Sequence, residues 1–164
     1  MRDKRFVAVH RGGLLTKEHH RYLMWWAREC CRHVLPLMKN PIDERLIHAL
    51  QTAQDWEEGL VQTGVAMKAS LGAHAVAREL SDPASIAIAR AIGQTVATAH
   101  MADHSLGGAI YGLLAVQRAG GSVANERNWQ DQKLQRLPSD LIELVQSTML
   151  QKITSLKSFA SLLD

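Results

Sequence analysis

The sequence has little that would build a β-sheet, a membrane span or a disulfide framework. Aromatic residues make up 5% of the 164 positions, and only Phe6 to Val9 forms a short β-like apolar run, so strand-favouring residues are too sparse to scaffold a sheet. No apolar stretch approaches the ~20 residues a transmembrane helix requires, and Met1 to Phe6 is charged rather than signal-like. The two cysteines, Cys30 and Cys31, are adjacent. On a helix neighbouring side chains diverge by ~100°, so a bridge between them would be strained. Reduced, buried thiols and a cytoplasmic address follow. An excess of one charge is also missing: 19 Lys and Arg face 16 Asp and Glu, a net +3. The cations are spread along the chain, without the concentrated footprint that nucleic-acid binding needs. The most basic region is the first thirty-odd residues, with Arg2, Lys4, Arg5, Arg11, Lys17, Arg21, Arg28 and Arg32, which reads as a solvated face.

What is present is helix after helix. The 46% hydrophobic content at this length suffices for one domain, 1–164, whose core needs no metal or disulfide staple. A first helix is expected from Thr16 as N-cap, with Leu15 stapling its start, to about Val34 before Pro36. Asn40-Pro41-Ile42-Asp43-Glu44 signals a second, as a capping Asn, a Pro at the first helical position and acids in the first turn, ended by Gly59 or Gly64. A third spans Val65 to Leu80, and Ser81-Asp82-Pro83 opens a fourth. One helix from Pro83 to Ala119 would be ~55 Å long, too long for a domain of this mass, so a break is expected near His100 to His104. Ser105 to Ala119 then forms a fifth, Asn125 caps a sixth to about Gln135, and Leu137-Pro138-Ser139-Asp140 starts a last one that the tail 151–164 extends. About a third of residues between Gly64 and Ala119 are Ala or Gly, and small side chains let helices approach closely. The expected fold is all-α, a single-domain antiparallel helical bundle of six to seven helices with these Ala/Gly-rich helices at its centre.

Three local patterns could carry chemistry. In His100-Met101-Ala102-Asp103-His104, the histidines would share one face of an unbroken helix and could bind a metal, with Asp103 beside them and His74 or His48 completing the shell. If the helix breaks there, Asp103 caps the next helix and the histidines bond across the junction. His10-Arg11-Gly12-Gly13 reads as a turn, with exposed amides for an anion as the alternative. Glu126-Arg127-Asn128-Trp129-Gln130 places Arg127 and Trp129 either as an interface anchor or as an aromatic packed inward beside a paired Arg. Ser105 follows His104 but has no Gly-x-Ser-x-Gly elbow, and no complete catalytic set emerges, so no enzyme and no cofactor are expected.

Several segments together resemble the immunity-protein-five-like family of bacterial polymorphic-toxin systems. They are Asp3 to Val7, Val9 to Gly13, Leu15 to Glu18, Trp26-Ala27, His33 to Pro36, Ala97 to His104, Ala109 to Tyr111, Glu126-Arg127 with Trp129-Gln130, and Leu137-Pro138. The resemblance covers about residues 3–145, and the tail from Gln151 is individual. It implies a helical cytoplasmic protein that binds and blocks a cognate toxin, and it transfers no catalytic residue. His10, Arg11, His100, Asp103, His104, Arg127 and Trp129 are the pattern positions that would be architectural or functional. The mildly basic charge argues against a mimic of nucleic-acid phosphate. A small metal-binding helical protein or enzyme using His100, Asp103 and His104 stands as the alternative. The amphipathic tail adds a homo-oligomer as a further candidate.

Overall fold

The computed structural model describes residues 2–39 and 41–164. Among them seven α-helices occur: α1 Lys17–Val34, α2 Glu44–Glu57, α3 Thr63–Glu79, α4 Pro83–Ala97, α5 His104–Arg118, α6 Val123–Leu134 and α7 Ser139–Thr154. The only β-type pairing among the described residues is an isolated bridge between Ala8 and Leu15. No helix among them is long and apolar enough to cross a membrane.

Four of these helices, α1, α2, α4 and α6, start at a side-chain cap. Thr16 Oγ1 accepts the His19 amide at 3.2 Å, and the Asp82 carboxylate accepts the Ser85 amide at 3.0 Å ahead of Pro83, each satisfying one of the orphan donors of a first turn. Thr63 and His104 start α3 and α5 within two residues of expectation, and two other starts differ by more. α2 begins at Glu44 with Asp43 as its cap; Pro41 lies outside the helix, and Asn40 falls outside the described residues. Ser122, not Asn125, caps α6, because the chain leaves the Gly120-Gly121 turn early enough for Val123 to be helical.

The long Ala-rich run does break. Thr98, Ala99 and His100 donate to Thr95, Val96 and Ala97 in tight i to i−3 bonds, and α5 sets off again at His104. α4 and α5 are buried almost all round, through residues such as Ile88, Ile92, Ile110 and Leu113, and are the centre of the molecule. Their closeness depends on glycine. A Cβ at Gly107 would lie 2.6 Å from Gln94 Oε1, and one at Gly108 would lie 2.5 Å from Thr95 Oγ1. Larger side chains from α1, including Leu23, Met24 and Trp26, cover this centre. Cys30 and Cys31 are buried free thiols, and burial pushes Cys31 up to about 12.

The tail departs from expectation as well. α7 ends at Thr154, and residues Lys157–Leu163 form a 3-10 helix folded back on α5. Phe159 meets Tyr111 edge-on at 4.9 Å, and Gln117 exchanges two hydrogen bonds with Ser161. Continuing α7 straight would leave Phe159 in water, whereas the fold-back leaves it 1% exposed. The apolar side chains that suggested a self-association surface are therefore partly consumed by the chain's own α5.

Candidate functional site

The residues before α1 form a hook. Val9 donates to the Leu15 carbonyl and Leu15 to that of Val7, both at 2.9 Å, while Gly13 donates to Ala8 and Leu14 to Lys4. Gly12 turns the chain at φ +85°, a conformation glycine adopts without strain. Gly13 is pressed so closely on Val7 that a Cβ would lie 2.0 Å from the Val7 carbonyl oxygen. The pair is thus the turn expected from sequence, and it carries His10 and Arg11 to the edge of a cavity.

That cavity has a volume of about 780 Å³ and is bounded by the hook, the first turn of α1, the end of α2 with the loop into α3, and the turn between α4 and α5. Arg2, Arg11, Lys17, Arg21, His10, His20 and His100 line it, and no Asp or Glu does among the described residues. None of the four Arg and Lys side chains has an ion-pair partner among the described residues. Arg2 reaches the Met101 sulfur at 3.4 Å. Buried His20 donates from Nε2 to the Thr98 carbonyl at 2.5 Å, an oxygen freed by the break after α4, and its ring meets Trp56 edge-on at 4.8 Å. Burial lowers the His20 pKa; the Thr98 bond opposes this, and the neighbouring His10 and Arg11 reinforce it.

The break separates the members of the His100 to His104 motif. His100 lies in the turn and lines the cavity, without a side-chain hydrogen bond among the described residues. His104 opens α5 and donates from Nδ1 to Gln94 Oε1 at 2.7 Å, bonding across the junction, and burial lowers its pKa. Asp103 occupies the capping position of α5 but accepts no capping bond, and its buried Oδ1 has no hydrogen-bond partner among the described residues. The expected cap is therefore absent: Asp103 itself has helical φ and ψ of −68° and −14°, whereas a capping residue usually adopts an extended backbone. His74 is already engaged, its Nδ1 accepting from Arg90 at 2.8 Å; burial, followed by the Arg90 charge, lowers its pKa to about 4. Exposed His48 faces Thr52 on its own helix. Among the described residues no three His, Cys, Asp or Glu side chains are grouped to hold a metal, so neither His74 nor His48 completes a shell with His100, Asp103 and His104.

The other end of α1 is closed by polar bonding. His33 Nδ1 donates to the buried Glu126 carboxylate at 2.9 Å, and the Trp129 ring stacks on His33 with centroids 3.7 Å apart and planes 5° off parallel. Lys133 Nζ lies 5.3 Å from the Trp129 centroid. Trp26 Nε1 donates to the Gln130 carbonyl at 3.0 Å, and Gln130 Nε2 donates to that of Ala109 at 2.9 Å, so α6 is tied to both α1 and α5. Arg127 points to the exposed side of α6 and has no ion-pair partner among the described residues. Trp129 is half-buried: it packs inward, yet Arg127 beside it does not pair.

A family model described as the Imm-5 like putative immunity protein matches residues 13–137. The chain belongs to that family. The matched stretch of the Imm-5 like family runs through α1 to α6 and includes His20, Arg21, Trp56, His100, Arg127 and Trp129. Arg2, His10 and Arg11 precede it, and α7 with the tail follows it. No curated protein matches, and no solved structure matches.

The cavity combines three of the site positions marked in the sequence with residues that were not marked as a site. Arg11, His10 and His100 are brought together at its wall, while Arg127 and Trp129 belong to the other end of α1. Lys17 and His33 are 16 residues apart on that helix, about 24 Å at its rise per residue. His20 went unnoticed because its spacing is that of an ordinary core residue. The basic bias of the first thirty residues was the one available signal for Arg2, Lys17 and Arg21.

Proposed function

We propose that this protein binds a cognate bacterial toxin in the cytoplasm and neutralises it by steric inhibition, without catalysis. Its membership of the Imm-5 like immunity family carries the reading. Inhibition of this kind needs an interface of about 1,600 Å² with a central Trp or Arg anchor. The outer surface of α6 offers one. Trp129 is held in place by its stack on His33 and by Lys133, and Arg127 beside it is exposed, with no ion-pair partner among the described residues. An aromatic already fixed before binding loses little conformational freedom on association. The net charge of +3 does not suit imitation of nucleic-acid phosphate, so the toxin's chemistry lies elsewhere.

Co-expression with the toxin encoded beside its gene, scored by growth, tests the reading. Rescue is expected with the native chain and with Arg11→Ala, and loss of rescue with Arg127→Ala at unchanged helical circular dichroism. Absence of rescue by the native chain would overturn it. Stoichiometric metal in untagged protein, lost from the His100→Ala, His104→Ala double variant, would favour the metal-binding alternative.

A further inference from the structure

The cations at the open end of α1 differ from most charged groups that the fold uses structurally. Arg5 pairs with Asp3, Arg28 with Glu57, Lys39 with Asp82, and Arg45 with Asp43 and Glu79. Arg2, Arg11, Lys17 and Arg21 instead share one concave wall with His10 and His100, and no carboxylate lines that wall among the described residues; Glu18 and Glu57 meet Lys17 and Arg21 only at a neighbouring pocket, and neither forms an ion pair with them among the described residues. Like charges gathered in a cleft repel one another and focus a positive potential into it, which a bound anion relieves. Arginine is the side chain best matched to phosphate, through its planar fork of donors.

Cavity size and lining narrow the ligand further. At about 780 Å³ the space lies within the ~300–1,000 Å³ typical of small-molecule sites, far more than one inorganic ion fills. Phe6, Leu15, Trp56, Val61 and Ala102 supply apolar wall alongside the cations. The hook that presents His10 and Arg11 is tied down by four backbone hydrogen bonds, so this part of the wall exists before any ligand arrives.

We propose that the cavity between the N-terminal hook, α1 and the α4–α5 turn is a binding site for a small organic phosphate. Arg11, Arg21 and their cationic neighbours hold the phosphate, and the apolar wall takes the body of the molecule. The site is about a helix length from the Arg127–Trp129 surface and independent of the toxin reading.

Calorimetric titration of the purified full chain at fixed salt tests it, with inorganic phosphate, phenyl phosphate, adenosine monophosphate and benzoate as probes. At least one phosphate ester is expected to bind ten-fold or more tighter than inorganic phosphate and benzoate. Arg11→Ala and Arg21→Ala should each weaken that ester ten-fold or more, while Arg127→Ala leaves it unchanged. Arg11 is exposed, so its variant keeps the fold, which helical circular dichroism checks. Failure of both esters to bind, affinities equal to inorganic phosphate, benzoate binding as tightly as phenyl phosphate, or indifference to Arg11→Ala would each overturn the proposal. The titration contains no toxin, so its failure and a failure of growth protection are separate results.

Discussion

The two ends of α1 are built from similar residue types and use them in opposite ways. At the C-terminal end His33, Glu126, Trp129, Gln130 and Trp26 satisfy one another. At the N-terminal end Arg2, Arg11, Lys17 and Arg21 face an open cavity and have no ion-pair partner among the described residues. A polar group whose partners lie within the chain does structural work, since leaving it unpaired when buried is costly. A charged group left unpaired in a cleft contributes little to folding and is available to something outside the molecule. By that criterion the closed end is architecture that presents Trp129 in a fixed pose, and the open end is a receptor.

Substitutions can break this contrast from either side. The largest effect is expected at the closed end. Trp26 is 1% exposed, and Trp26→Ala should cost about 3–5 kcal/mol in urea unfolding, the lost bond to Gln130 included. A loss under 1 kcal/mol would show that α6 is not held through this residue. At the open end Gly13→Ala forces a Cβ onto the Val7 carbonyl and should cost about 1–3 kcal/mol. It should displace the hook and abolish phosphate-ester binding while the helical circular dichroism stays native.

Acid should act through the histidines that burial affects, His20, His74 and His104. The His74 pKa is about 4 in the folded protein, below the ~6.5 of an unfolded histidine, so the unfolded state takes the proton first. The stability linked to His74 is complete above about pH 6.5 and is lost as pH falls toward 4; His20 and His104, also lowered, add in the same direction. Thermal midpoints measured from pH 7 to 4 should fall, and less steeply in His74→Gln, which keeps an acceptor for Arg90 without titrating. The smallest effect belongs to Arg11→Ala. At an exposed, unpaired position it should change stability by less than about 0.5 kcal/mol. A larger change in urea unfolding would make Arg11 structural and remove the contrast between the ends.

Much of the helix pattern was legible because its causes are local. Thr16, Asp82-Pro83 and Gly59 mark helix ends through hydrogen bonds and backbone geometry confined to a few residues, and the break between α4 and α5 followed from length alone. The caps of α2 and α6 are Asp43 and Ser122 rather than the expected Asn40 and Asn125, since Asn, Asp and Ser cap about equally well and local pattern does not rank them. The tail misled for a related reason: Ile153, Leu156 and Phe159 have helical spacing, but burial of Phe159 against Tyr111 decided the path. At the candidate site, the sequence marked His10, Arg11 and His100 as separate features, and nothing in their spacing, 89 residues between Arg11 and His100, could show that they share a wall.

By itself, then, the sequence determined that this chain is helical, where most of its helices start and stop, and that its small-residue middle is the packed centre. These depend on capping, periodicity and side-chain size, which act within a turn or two of helix. Only the tertiary structure decided which polar residues are satisfied and which are not. Hydrogen-bond and ion-pair partners such as His33 and Glu126 are 93 residues apart and meet through packing alone, and the cationic cavity exists only where the hook and α1 meet the α2–α3 loop and the α4–α5 turn, with no carboxylate lining it among the described residues.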